Sequence, residues 1–100
     1  MHLITDNLQK IIALCKKHRV KALYVFGSIL TPRFNEKSDV DFSAIFNHDA
    51  DPLVAGDNFM NFYMGLESIM GRRIDLVDEE FIKNKYFREE LDETKQLIYG

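Results

Sequence analysis

The sequence predicts an α/β domain of the α+β kind, a small mixed β-sheet flanked by helices. Three observations carry this. Segments with apolar residues at helical spacing alternate with short β-branched and aromatic runs, in the order helix, strand, loop, strand, helix, strand, helix, helix, strand. The chain of 100 residues is 46% hydrophobic with 12% aromatic residues, enough for one core and too apolar for disorder. No repeat, low-complexity stretch or linker interrupts it, so residues 1–100 read as one domain.

Ile4, Leu8, Ile11, Ile12 and Cys15 recur at helical spacing and predict an amphipathic helix over residues 5–18. Lys16-Lys17-His18-Arg19 places cations at its C-terminal end, where the helix dipole favours them. Val20 to Phe26 is a largely apolar run and reads as a buried strand. Residues 29–38, with Pro32, Asn35 and Ser38, suit a loop. Asp39 to Phe46 reads as the second strand, with Phe42, Ala44 and Phe46 facing away from Asp41 toward a packed layer. Asp51-Pro52 resembles an N-cap and first helical residue, opening a helix to Met70 with Gly71 just beyond it. On that helix Phe59, Met60, Phe62, Tyr63, Met64 and Met70 read as core and partner-facing residues. Arg72 to Val77 is the third strand. Asp78 caps a short helix through Ile82, with Glu79 and Glu80 favoured at its start by the dipole. Tyr86 to Glu93 reads as another helix and Gln96 to Tyr99 as a short last strand.

The chemistry concentrates at two places. Gly27-Ser28 follows the first strand, and glycine lets the backbone turn sharply there without a Cβ in the way. A turn of this kind opening a helix leaves N–H groups aimed at an anion, usually phosphate. Ten residues then separate Ser28 from Asp39-Val40-Asp41. Asp39 and Asp41, two apart on a strand, project from one face. Paired carboxylates repel each other and are tolerable at neutral pH when a divalent cation lies between them. Asp75, between Ile74 and Leu76, is an acid in an otherwise apolar strand. His48, Asp49 and Asp51 match no standard metal spacing and read as a polar loop.

Gly27-Ser28, the ten-residue spacing, Asp39-Val40-Asp41 and Arg73-Ile74-Asp75-Leu76-Val77 resemble the GS-x10-D-x-D signature and third carboxylate strand of the DNA polymerase β-like nucleotidyltransferase superfamily. Asn84 to Tyr99 resembles its usual C-terminal segment, so the likeness spans nearly the whole chain and is greatest to the minimal, MNT-type domains. The resemblance implies a polymerase β-like palm and a metal-dependent transfer of a nucleoside monophosphate, AMP from ATP, to an acceptor hydroxyl. It implies Asp39, Asp41 and Asp75 as catalytic metal ligands for two Mg2+ ions, with Mn2+ an alternative, and Gly27, Ser28 and Arg33 as nucleotide-binding residues. Relatives often carry a small residue, Arg and Gly shortly after the Gly-Ser pair, whereas Thr31 and Pro32 stand here. Either a cation facing the triphosphate is absent, or Arg33 supplies it from a shifted position. Similar stand-alone domains pair with a small helical HEPN protein as antitoxin and toxin, so the resemblance implies such a partner or a homodimer. Two alternatives stand beside the enzyme: a non-catalytic module that neutralises a partner by contact, and an antibiotic-modifying transferase, which the absence of an acceptor-binding domain disfavours.

A net charge of −3 argues against general nucleic-acid binding. One cysteine, Cys15, on an apolar helical face excludes an internal disulfide and fits a reducing compartment. With no apolar leader at the N-terminus and no run of transmembrane length, the chain is expected in the cytoplasm without membrane contact.

Overall fold

The structure is a computed structural model that describes residues 2–47 and 52–100. His48, Asp49 and Asp51, with the polar loop and the N-cap read there, lie outside the described residues.

The first helical segment is two helices, α1 (His2–Asp6) and α2 (Leu8–Lys17), where the spacing predicted one. Asn7 makes the break. Its side-chain amide donates to the Leu3 carbonyl at 2.8 Å, and its own N–H turns back to Ile4 at 3.1 Å. A short polar side chain offers the backbone such an alternative to continuing a helix. The strands are β1 (Val20–Phe26), β2 (Val40–Phe46), β3 (Ile74–Asp78) and β4 (Gln96–Tyr99), in the sheet order β3-β2-β1-β4. β1 pairs antiparallel with β2 and β4, and β2 pairs parallel with β3. A parallel pair needs a long crossover, supplied by α3 (Pro52–Met70). Two strands begin later than predicted: Asp39 precedes β2, and Arg72 and Arg73 precede β3. The first inter-strand bond there runs from the Val40 N–H to the Arg73 carbonyl, 3.2 Å.

Side-chain alternation divides the sheet faces. Leu23, Val25, Val40, Phe42, Ala44, Ile74 and Leu76 are buried against Ile11 and Cys15 of α2 and Phe62 and Leu66 of α3. Each fully buried large side chain contributes roughly 1.5–3 kcal/mol. Phe46 adds ring contacts to Phe59 and Phe62, both at 5.9 Å. Met60 and Met64 are exposed on α3, whereas Phe62 and Met70 are core. Burial pushes the Cys15 thiol up to about 12, as expected of a packing residue.

Phe26, Asp41 and Asp75 alternate with those core residues and so belong to the opposite face. Part of this face is covered by a 3₁₀ turn (Glu79–Phe81) and α4 (Lys85–Thr94). Asp78 caps the turn by accepting from the Glu80 N–H, and Asn84 caps α4 by accepting from Tyr86 and Phe87. Glu79 does not decorate a helix start, as the sequence suggested. It is buried, and it accepts from Ser43 Oγ at 2.8 Å, Arg88 at 3.0 Å and Lys95 at 3.0 Å. Lys95 also pairs with Asp92 and lies 4.2 Å from the Tyr24 ring centroid. Burial pulls the Lys95 ammonium down, but hydrogen bonds and charge from Asp92 and Glu79 outweigh it and the net shift is upward. These contacts tie α4 to the sheet.

Candidate functional site

Strand register brings Gly27, Asp41 and Asp75 together at one end of the sheet. Phe26 lies opposite Asp41, so Gly27 follows directly at the strand end, and Asp41 lies in register with Asp75 on β3. Gly27 has φ +78°, a left-handed conformation that favours glycine. A Cβ built there would lie 2.2 Å from Asp41 Oδ2 and 3.2 Å from Asp41 Cγ. The glycine therefore makes room for the Asp41 carboxylate.

Gly27-Ser28 opens a 3₁₀ turn (Gly27–Leu30) rather than an α-helix. The summed dipole of a long helix is absent, so an anion here would depend on local N–H groups and the Ser28 hydroxyl. Thr31 closes the turn: its N–H and hydroxyl donate to the Ser28 carbonyl at 2.9 and 2.8 Å.

Asp39 is exposed just before β2, with Oδ1 3.7 Å from Arg73 Nε. Both groups face water, so this ion pair is weak and easily exchanged. Asp41 is half-buried. Its carboxyl lies above the usual range, first through burial and then through the charges of Asp75 and Asp39. The three aspartates therefore share one electrostatic site.

Arg33 stands apart on the exposed loop, where its N–H donates to Thr31 Oγ1 at 3.3 Å. Among the described residues no ion pair joins its guanidinium to the aspartates. Arg72, read from sequence only as a strand residue, fastens this loop. It donates to the Asn35 and Ser38 carbonyls, each at 3.0 Å, and its guanidinium lies 4.9 Å from the Phe34 ring centroid.

Among the described residues no three acidic, histidine or cysteine side chains converge into a complete metal cage. A hard divalent ion such as Mg2+ needs only one or two carboxylates beside water and substrate phosphates. Repelling, oxygen-only side chains such as Asp41 and Asp75 fit that requirement.

Comparison with known proteins identifies the family and the fold. The family described as Polymerase beta, Nucleotidyltransferase matches residues 9–100. A Methanocaldococcus jannaschii protein with the provisional name protein adenylyltransferase MJ0128 is 34% identical over 97 residues, covering 96% of this chain and 93% of that protein. A solved structure provisionally described as a minimal nucleotidyltransferase superposes with TM-score 0.75 at 26% identity, over 96% of this chain and 95% of that one. One chain of a solved structure described as a tri-AMPylated Shewanella oneidensis HEPN toxin in complex with MNT antitoxin matches in fold, with TM-score 0.64 at 19% identity over 96% of this chain and 71% of that one. With a family model matched over residues 9–100 and a relative 34% identical over nearly the whole chain, the chain belongs to the polymerase beta nucleotidyltransferase family, as a minimal nucleotidyltransferase.

Proposed function

We propose that residues 1–100 act as one domain that transfers AMP from ATP to a hydroxyl on a partner protein, as the antitoxin of a HEPN-type toxin. The register of Asp41 with Asp75, beside Gly27 and its room for the Asp41 carboxylate, carries this reading. The names of the Methanocaldococcus relative and of the AMPylated toxin complex support the nucleotide and the partner class. A homodimer is the other assembly compatible with so small a chain. The buried, unpaired Cys15 suits a reducing cytoplasm, and among the described residues no helix is long and apolar enough to cross a membrane.

Asp39, Asp41 and Asp75 would hold divalent metal, Mg2+ by preference, with Mn2+ as substitute. Bound there, two ions would neutralise phosphate charge and lower the acceptor hydroxyl's pKa. Gly27 and Ser28 would donate their N–H groups, and Ser28 its hydroxyl, to the β- and γ-phosphates. Arg33 would reach those phosphates from the exposed loop. The acceptor oxygen bonds to the α-phosphorus as the bond to the β-phosphate oxygen breaks. Pyrophosphate leaves, and Asp75 takes the hydroxyl proton.

The test is pyrophosphate release from Mg–ATP in the presence of a HEPN-type toxin. Asp39→Asn and Asp41→Asn should each abolish it while the fold persists. Near wild-type release by either variant would remove the metal assignment. A second reading, a binding module without turnover, draws on Thr31-Pro32 and on the separation of Arg33 from the acids. It requires that all three aspartate variants still neutralise the toxin.

A further inference from the structure

Asp41 and Asp75 are paired into the sheet, whereas Asp39 lies on the loop before β2. No ladder holds its backbone. It is held instead from both sides by the two residues that lead into β3. After Asp39, the Val40 N–H donates to the Arg73 carbonyl at 3.2 Å. Before it, one guanidinium nitrogen of Arg72 donates to the Ser38 carbonyl and to the Asn35 carbonyl, each at 3.0 Å.

The loop is shaped to receive this clamp. The Ser38 N–H donates to the Asn35 carbonyl at 3.1 Å, the Asn35 N–H to Ser38 Oγ at 3.1 Å, and the Lys37 N–H to Asn35 Oδ1 at 2.8 Å. These bonds close residues 35–38 into a turn whose two end carbonyls meet at Arg72. Phe34 packs against the core and lies beneath the guanidinium, which is 4.9 Å from its ring centroid. A planar guanidinium supplies fixed donors and a flat face for the ring. Charge alone argues against an arginine here, because a fixed cation near a cation site opposes the incoming ion. Arg73, with Nε 3.7 Å from Asp39 Oδ1, competes in that way. Arg72 directs its donors to the loop backbone.

We propose that Arg72 is the positioning residue for Asp39: by holding the Ser38 and Asn35 carbonyls it ties the loop to the segment entering β3, and so sets Asp39 relative to Asp41 and Asp75. The proposal rests on the reading of the three aspartates as metal ligands and adds what keeps the loop-borne one in place. Calorimetric titration of the whole chain with Mn2+ alone tests it, together with amide hydrogen exchange read by NMR on the metal-free protein. Arg72→Met removes the donors and keeps the stem. It should speed exchange at the Ser38 and Val40 N–H groups. It should also weaken Mn2+ about fivefold or more, less than the roughly 10–100-fold typical of a partner bonded to the ligand itself. A role through charge gives the opposite sign, since removing a cation tightens Mn2+. In an Asp39→Asn background, Arg72→Met should change Mn2+ affinity by less than about twofold, because the ligand that Arg72 places is gone. Arg72→Lys keeps the charge and the donors and should recover most of the affinity. Arg72→Gln, whose amide is too short to hold both carbonyls, reports the same loss if Arg72→Met fails to fold. Mn2+ affinity unchanged or tightened on loss of the guanidinium, a loss that persists in the Asp39→Asn background, or a loss that Arg72→Lys does not reduce would each overturn the proposal and leave the metal reading standing. If the wild type binds no Mn2+, the metal reading itself falls and this role with it.

Discussion

Replacing Gly27 by alanine sets a methyl group against the Asp41 carboxylate. At φ +78° a non-glycine residue carries strain of about 1–2 kcal/mol. The new Cβ would sit 2.2 Å from Oδ2 and 3.2 Å from Cγ, but 3.4 Å from the Asp41 Cβ, an ordinary contact. The carboxylate end is therefore what must move. A carboxylate on a rotatable bond yields before a paired strand does, so the backbone strain should dominate the stability loss. Site function absorbs the remainder: Asp41 turns away from Asp75, and affinity for Mn2+ and for Mg–ATP should fall about tenfold or more. Urea unfolding measures the first effect and calorimetry the second. In an Asp41→Ala background the clash disappears, and Gly27→Ala should then cost only the backbone strain. Gly27→Ala with wild-type affinity for metal and nucleotide would refute the reasoning, because Gly27 would then not shape the acid site.

Three further outcomes are expected. Asp41 has its carboxyl raised in the folded protein by burial, Asp75 and Asp39, so its ionised form weakens the metal-free fold. That penalty is present at neutral pH and vanishes as pH falls below the ordinary carboxylate range; metal-free Asp41→Asn should match or exceed wild-type stability at pH 7, the difference closing on acidification in thermal unfolding. Under the proposed function, in which the Asp75 carboxylate serves the acceptor in the transition state, Asp75→Asn should bind Mg–ATP within a few-fold of wild type yet lose roughly a hundredfold in transfer rate; a loss confined to binding would contradict this. Glu79→Gln leaves Arg88 and Lys95 with only the more exposed Asp92 as anion, and with Lys95 at 16% and Arg88 at 36% side-chain exposure the cost should be about 2–3 kcal/mol, below that of a fully buried pair; chemical denaturation without such a loss would contradict the anchoring role.

Much of the site was legible because it is written in short-range patterns. Val40, Phe42 and Ala44 alternate with Asp41 and Ser43, and that alternation alone assigns their faces. Gly27 stands at a strand end where only a turn fits. What sequence concealed depends on long-range register. Asp78-Glu79-Glu80 looks like a solvated helix start. Nothing local shows that Ser43, thirty-six residues earlier, and Lys95, sixteen later, converge on Glu79. Arg72 looks like a strand residue, and only the folded loop reveals its hold on Asn35 and Ser38. The break at Asn7 is a contest between a side-chain amide and a helical hydrogen bond, which apolar spacing does not record.

Labelled transfer tests the central claim most directly. The chain, a HEPN-type toxin and Mg2+ are incubated with ATP labelled either at the α- or at the γ-phosphate. The α-label should become covalently attached to the toxin and the γ-label should not, and Asp39→Asn, Asp41→Asn and Asp75→Asn should each prevent attachment. Incorporation of γ-label, or no incorporation at all while the three variants still neutralise the toxin, would contradict it.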